Sequence, residues 1–509
     1  MKNRKSFYPY RQAWLSSRTA SLLLGMATLA GGLQAQTPPP VQRVPDSPTG
    51  VISAAVQMPP ASATTGTMEE TMETPSPSKV LGQVPFTAKY AIAGEMTDNV
   101  QHLFVFQSPY SGPNSLRARD ETEITHTYTL YLGVRPIPRV EVYLDPEIAL
   151  GNGVSSGSGL AGYSNGDLIG QPSLRPDPYV ARFFVRWRIP LQRQGRPKQT
   201  QDVPPGNNLI GGSLPASRLV ISAGKFAISD HFDVNSYANN ARIRFLNNAF
   251  INNLAYDKAA DTRGYNLGLM VNWIRPAFAL RLGSVAMPTT AGGSGLAYHF
   301  ANQHSEQMEL EIHPRLFGGV NPLPLIVRLL AYRNEATMGG YQEALRARVV
   351  GAAPDVSAVR RAGAVKYGFG LNFEQGLGDG GDSGLFGRLG WNDGRTESFN
   401  YAEADRFLSL GGQWSGVHWK RAKDVLGAAL AQSELSRTHK AYLEAGGLGL
   451  SLGDGRLNYG PEQTAEIYYS RQLSKNVSLS PDYQLINHPG YNRDRGPVSL
   501  LTLRLHLAF

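Results

Sequence analysis

The chain has 509 residues, no cysteine and a formal charge of +9. Without cysteine it can hold no disulfide framework, thiolate metal site or cysteine nucleophile. A charged fraction of 17% is low for a soluble surface of this size, and the basic residues form no clustered face of the kind that binds nucleic acid.

Lys2, Arg4, Lys5, Arg11 and Arg18 open the chain with no acid among them. Leu22 to Leu33 (LLLGMATLAGGL) follows as an apolar stretch too short to span a bilayer, and Ala35 then offers a cleavage point. Residues 1–35 thus have the layout of a secretory signal peptide. Five of the 49 basic residues lie in this leader, which leaves 44 against 40 acidic residues, or +4. Residues 36–85 are rich in Pro, Thr and Ser (TPPP, MPP, TPSPS). Such a segment buries no core and reads as a disordered linker. The structured part is expected over 86–509.

From Phe86 onward the pattern has period two, as half-buried strands require. Phe86, Tyr90 and Ile92 share one face, and Ile124, Tyr128, Leu130, Leu132 and Val134 share another. After the turn RPIPR, Val140, Val142 and Leu144 oppose Glu141 and Tyr143. Ala181, Phe183, Val185, Trp187 and Ile189 oppose Arg182, Phe184, Arg186 and Arg188. Leu267, Leu269, Val271 and Trp273 oppose Asn266, Met270 and Asn272, and Met308, Leu310 and Ile312 oppose Glu309 and Glu311. Similar alternation covers 367–374, 385–392 and 477–485. Short turns (RPIPR, IRPA, LGDGGDS) join some of these strands, and long Gly/Asn/Ser-rich stretches join others. Apolar-out, polar-in strands with short turns at one end and long loops at the other suit a transmembrane antiparallel β-barrel. At about 25 residues per strand, the structured part makes about sixteen or eighteen strands, a size that leaves an aqueous channel.

The last residues, SLLTLRLHLAF, are apolar at every odd position from Leu501 to Phe509. A membrane sheet leaves no open edge, so this strand is expected to pair with the first. Arg504 and His506 would then face lumen water, and Phe509 an aromatic interface.

Few motifs suggest catalysis. Two G-x-S-x-G matches, 153–157 and 162–166, and a G-x-G-x-x-G match, 157–162, lie in one glycine-rich loop. They lack the strand-to-helix context that gives such motifs their chemistry. No H-E-x-x-H pair or clustered zinc spacing occurs. More informative is 218–265, where over 30 residues dense in Asp, Asn and Arg separate a strand ending near Phe226 from one beginning near Gly264. Ile243, Leu246, Phe250 and Leu254 fall at helical spacing, which predicts a short helix. Loops this long are commonly functional: this one either narrows a pore or packs on the barrel rim.

The chain resembles the carbohydrate-selective outer-membrane porins of the OprB family. The resemblance rests on FTAKYAIAG (86–94), SPYSGPNSLRAR (108–119), EVYLDPEIALGNGVS (141–155), GKFAISDHFDVNSYANNARIRFLNNA (224–249), AADTRGYNLGL (259–269) and KYGFGLNFEQ (366–375). It is closest in YLEAGGLGLSLGDGRLNYGPEQTAEIYYS (442–470) and HPGYNRDRGPVSLLTLRLHLAF (488–509). It implies a water-filled barrel of about sixteen strands in the outer membrane of a Gram-negative-type bacterium, passing sugars down a gradient with no cofactor, metal or catalysis. The expected partners are mono- and small oligosaccharides in transit, outer-membrane lipid and the barrel-assembly machinery acting on the strand that ends at Phe509; a homo-oligomer stays open, since the sequence does not give the oligomeric state.

Strand phase, not the resemblance, supplies the pore-lining candidates. They are Arg182, Arg186, Arg188, Glu309, Glu311, Arg328, Arg388 and Arg504, with the loop residues Asp230, Asp233, Asn235, Asn240 and Arg242. A general or anion-selective porin is the alternative, although Glu309 and Glu311 oppose an anion filter. A hydrolase lacks its constellation, an active receptor lacks a plug domain, and a structural barrel with a blocked pore stays open.

Overall fold

Period-two alternation becomes a sheet that closes on itself. The computed structural model describes residues 89–168, 177–191, 199–298, 300, 302–314, 325–399 and 403–509. The leader, its cleavage point and the Pro-rich stretch lie outside the described residues.

The strands are β1 (Tyr90–Leu103), β2 (Glu121–Ile137), β3 (Val140–Gly151), β4 (Tyr179–Pro190), β5 (Thr200–Val203), β6 (Gly212–Pro215), β7 (Arg218–Phe226), β8 (Asn266–Arg275) and β9 (Phe278–Ala286). They continue as β10 (His304–Ile312), β11 (Leu325–Met338), β12 (Arg361–Gly376), β13 (Gly384–Asn392), β14 (Arg406–Ser415), β15 (Val425–Glu434), β16 (Glu462–Gln472), β17 (Val477–Asn487) and β18 (Val498–Ala508). Sixteen of them form one closed barrel in which chain neighbours are sheet neighbours, while β5 and β6 pair only with each other. The strand number is therefore sixteen, not eighteen.

The closing seam joins the first strand to the last. Val100 faces Leu503 and His102 faces Leu501 across an antiparallel ladder. Gly94 and Phe509 exchange both backbone hydrogen bonds at 2.9 Å. Along β18 the alternation holds: Leu501 and Leu503 are 47% exposed on the outer face, whereas Thr502, Arg504 and His506 are buried inside.

Two expectations need correction. Ala181 does not join the outward set of β4. Asp145 pairs with Arg182 and Pro146 with Val180, so Ala181 sits in a bulge and is buried while Val180 faces out. A bulge inserts one residue and shifts the phase locally. Nor do Arg504 and His506 meet open water. Arg504 donates at 2.6 Å to the carbonyl of Ala241, and His506 Nδ1 lies 2.9 Å from Thr97 Oγ1, because a loop from the far rim fills the lumen at their level.

RPIPR, IRPA and LGDGGDS all lie at the end that carries both chain ends of the barrel, as do the connections 191–217 and 473–476. The opposite end carries longer connections, among them 104–120, 227–265, 339–360 and 435–461. Helices Tyr341–Ala347 and Arg437–Glu444 form there, with the Tyr341 and Tyr442 rings 4.9 Å apart.

Candidate functional site

The connection between β7 and β8, residues 227–265, turns into the barrel. It contains the helix Asn248–Ile251, capped by Asn247, whose side chain accepts from Ala249 N–H. Helical spacing from Ile243 to Leu254 thus yields one short turn of helix. Phe245, Leu246, Phe250 and Leu254 share one buried apolar cluster with Phe386, Phe407, Ala429 and Tyr468 of the wall.

Irregular backbone inside a barrel needs partners for its polar groups, and the wall supplies them by sign. Carboxylates accept loop N–H groups. Glu309 takes Asp233 N–H at 2.8 Å, Glu374 takes Ser236 N–H at 2.5 Å, and Glu466 takes those of Leu246 and Asn247 at 2.5 and 2.9 Å. Guanidiniums donate to loop carbonyls. Arg388 reaches those of Phe250 (2.5 Å), Asp233 (3.1 Å) and Ala238 (3.2 Å). Arg281 and Arg328 keep the glutamates in register: Arg281 binds Glu309 at 3.0 Å and Glu311 at 2.9 Å, and Arg328 binds Glu311 at 2.9 Å and Glu374 at 3.2 Å.

This anchoring pins one side of the loop to β10–β18, and its other side faces β1–β4. There a cavity of about 340 Å³ opens between the loop and the wall. Across it Arg242 reaches Asp167 at 2.8 Å and Glu147 at 2.9 Å, and pairs with Glu95. Arg182 grips both oxygens of Asp230, at 2.7 and 2.8 Å. Tyr265 donates to Glu147 at 2.9 Å, and the Arg182 guanidinium stands 5.2 Å from the centre of its ring. Tyr131 and Tyr179 complete the aromatic edge. The lining carries Arg182, Arg186, Arg242, Lys258 and Arg263 against Glu95, Asp167, Glu147 and Asp230, a near balance of sign.

The electrostatics of the loop groups follow from this contact set. Burial pushes the Asp230 carboxyl up, but the Arg182 guanidinium outweighs it and holds the group below its ordinary value. At Asp167 burial prevails over Arg242 and the carboxyl is raised. Burial lowers Lys258 to about 8.

Of the thirteen residues taken from strand phase and loop composition, Arg182, Arg186, Asp230, Asn240 and Arg242 line the cavity. The other eight do not. Asp233, Asn235, Glu309, Arg388 and Arg504 are buried in the anchor between loop and wall, Glu311 and Arg328 are buried in the ion pairs of the wall itself, and Arg188 is buried against Glu141, 2.5 Å away. Strand phase separates inside from outside, but it carries no information on which inward groups the loop covers. Glu95, Glu147, Asp167, Tyr265 and Lys258 were missed. Glu147 was legible, since it continues the inward phase of Glu141, Tyr143 and Asp145.

Among the described residues no cluster of His, Asp and Glu has the geometry of a metal site. A closed sixteen-stranded barrel with an apolar outer face, a polar lumen and an inward loop defines an outer-membrane porin. The model of the carbohydrate-selective porins of the OprB family matches residues 188–509, and the chain belongs to that family. The high-pH structure of Pseudomonas putida OprB superposes with a TM-score of 0.60 at 17% identity, covering 83% of this chain and 94% of that one. Its low-pH structure superposes with 0.42 at 14% identity, covering 83% and 93%. DcaP of Acinetobacter baumannii gives 0.44 at 10% identity, covering 84% and 99%. No curated protein matches the chain significantly. The protein is thus a carbohydrate-selective channel of the outer membrane, one that crosses it many times as a β-barrel.

Proposed function

We propose that sugars cross through the cavity between loop 227–265 and strands β1–β4, and that Arg182, Asp230, Arg242, Glu147 and Tyr265 are the groups they meet. The observation that carries this is the pairing of opposite charges across one narrow section beside tyrosine rings. Paired guanidinium and carboxylate groups exchange hydrogen bonds with hydroxyls one at a time, and a ring edge offers apolar contact to a pyranose face. Each contact is weak, as conduction demands: strong enough to enter, weak enough to leave. Near balance of sign in the lining favours neutral solutes over either class of ion. The barrel does no chemistry on its cargo, and its outer apolar face meets lipid.

The test is single-channel conductance of the refolded protein in a planar bilayer, with neutral mono- and oligosaccharides added in turn. Saturable, concentration-dependent block by a sugar is expected, and Arg242→Met should weaken that block while shifting the salt current toward cations. Open steps that no sugar perturbs, with a clear anion preference, would establish the ion-selective alternative instead.

A further inference from the structure

At the end of the barrel where β1 begins and β18 ends, joining neighbouring strands takes as little as residues 138–139 or 276–277. The connection between β4 and β7, residues 191–217, is far longer and carries strands of its own. Its hairpin β5–β6 pairs Gln201 with Leu214 and Val203 with Gly212. Val203, Leu209 and Leu214 give it a buried apolar cluster of its own.

The tip does not hang in solvent. Ile210 is buried in the cluster that holds Tyr143 and Phe184 of the wall, and its N–H donates to Tyr143 Oη at 3.3 Å. Arg186 donates to the carbonyl of Asn208 at 2.9 Å, and Arg135 to that of Gly211 at 3.0 Å. Asn208 donates its own amide to Asp145 at 2.8 Å. Glu141 holds Arg135 in turn at 2.7 Å. Asn208 adopts φ +57°, a left-handed conformation that asparagine tolerates better than most residues. With its carbonyls clamped by two arginines, the tip is held in place against the wall. Asn207 and Asn208 border the same cavity as Asp230 and Arg242.

The geometry points to a second selectivity element: the β5–β6 tip narrows the inner-face end of the passage, in series with the loop that enters from the opposite rim. It rests on the reading of this cavity as the solute path. Because the tip presents neutral amides, it discriminates by size and hydrogen bonding, whereas the loop and wall set the preference for charge. The size limit therefore belongs to both elements, and ion preference to one.

The natural chain has no cysteine, so Asn208→Cys in the full-length protein carries the only thiol. A small anionic methanethiosulfonate reagent, added to the bilayer chamber, should cause a stepwise loss of single-channel current that a reductant reverses. Asp202→Cys, on the exposed face of β5, should be modified with no change in current. Replacing residues 204–211 by Gly-Gly should raise salt conductance and the length of the largest oligosaccharide that blocks, with ion preference unchanged. Modification of Asn208→Cys, confirmed by mass, with an undisturbed current would overturn the inference. Wild-type conductance in the shortened hairpin would do the same. Both readings use salt current alone: if no sugar blocks the wild type, the cavity-as-sugar-path reading fails while the hairpin is still judged.

Discussion

Arg388→Ala tests the idea that wall charges serve the loop and not the solute. Arg388 is fully buried and bonds three loop carbonyls, the Asn239 side chain at 2.9 Å and the Asp233 carboxylate at 3.1 Å. Removing one partner of a buried ion pair costs about 3–5 kcal/mol. That cost falls on the docked state of the loop, because the barrel ladders on either side of Arg388 do not depend on its side chain. Taking the lower figure, and tenfold per about 1.4 kcal/mol, the ratio of undocked to docked loop rises by about a hundredfold or more. Barrel yield, read by the heat-dependent mobility shift of folded porin, should stay near wild type. Single-channel records should show larger or flickering openings, and sugar block should weaken. A variant with wild-type conductance, noise and block would refute the anchor and return Arg388 to the list of solute contacts.

Other consequences follow from the same geometry. Lys258 lines the cavity and loses its charge as pH rises through about 8; the salt current should shift toward cations across that range, and Lys258→Met should abolish the shift. Leu503→Arg places a guanidinium on the outer face of β18, at a cost of about 2–4 kcal/mol if it lies at the bilayer midplane, and should lower the yield of folded barrel, whereas Thr502→Ser on the inner face should not. A side chain at Gly94 would occupy the space of the Phe509 ring, so Gly94→Val should loosen the closing seam and lower the unfolding temperature; an unchanged transition would show that the ring is not needed there. Arg504→Ala should act as a milder Arg388→Ala, since it holds one loop carbonyl, and its conductance change should be smaller.

Glu309 and Glu311 were placed inward by alternation with Met308, Leu310 and Ile312, and they are inward. Their destination was not legible, because the group that meets Glu309 is the N–H of Asp233, 76 positions away. Ala181 was misplaced because a bulge has no signature in a row of alternating letters. The hairpin β5–β6 carried no period long enough to read, and its tip was invisible as a pore element.

What the sequence determines here is what local physics controls. Period-two alternation dictates strands, and an apolar side opposite a charged one dictates which face meets lipid. A strand apolar on one face and polar on the other needs a partner along both edges in a membrane sheet, and β18 finds β1. What only the tertiary structure decides is how the lumen is divided. Inward charges are chemically alike along the strands, and they differ in whether the long β7–β8 connection covers them. That depends on contacts between residues a hundred or more positions apart, such as Arg388 with Asp233 and Arg242 with Glu95. An arginine thus becomes anchor or channel wall through the backbone that reaches it, which no periodicity encodes.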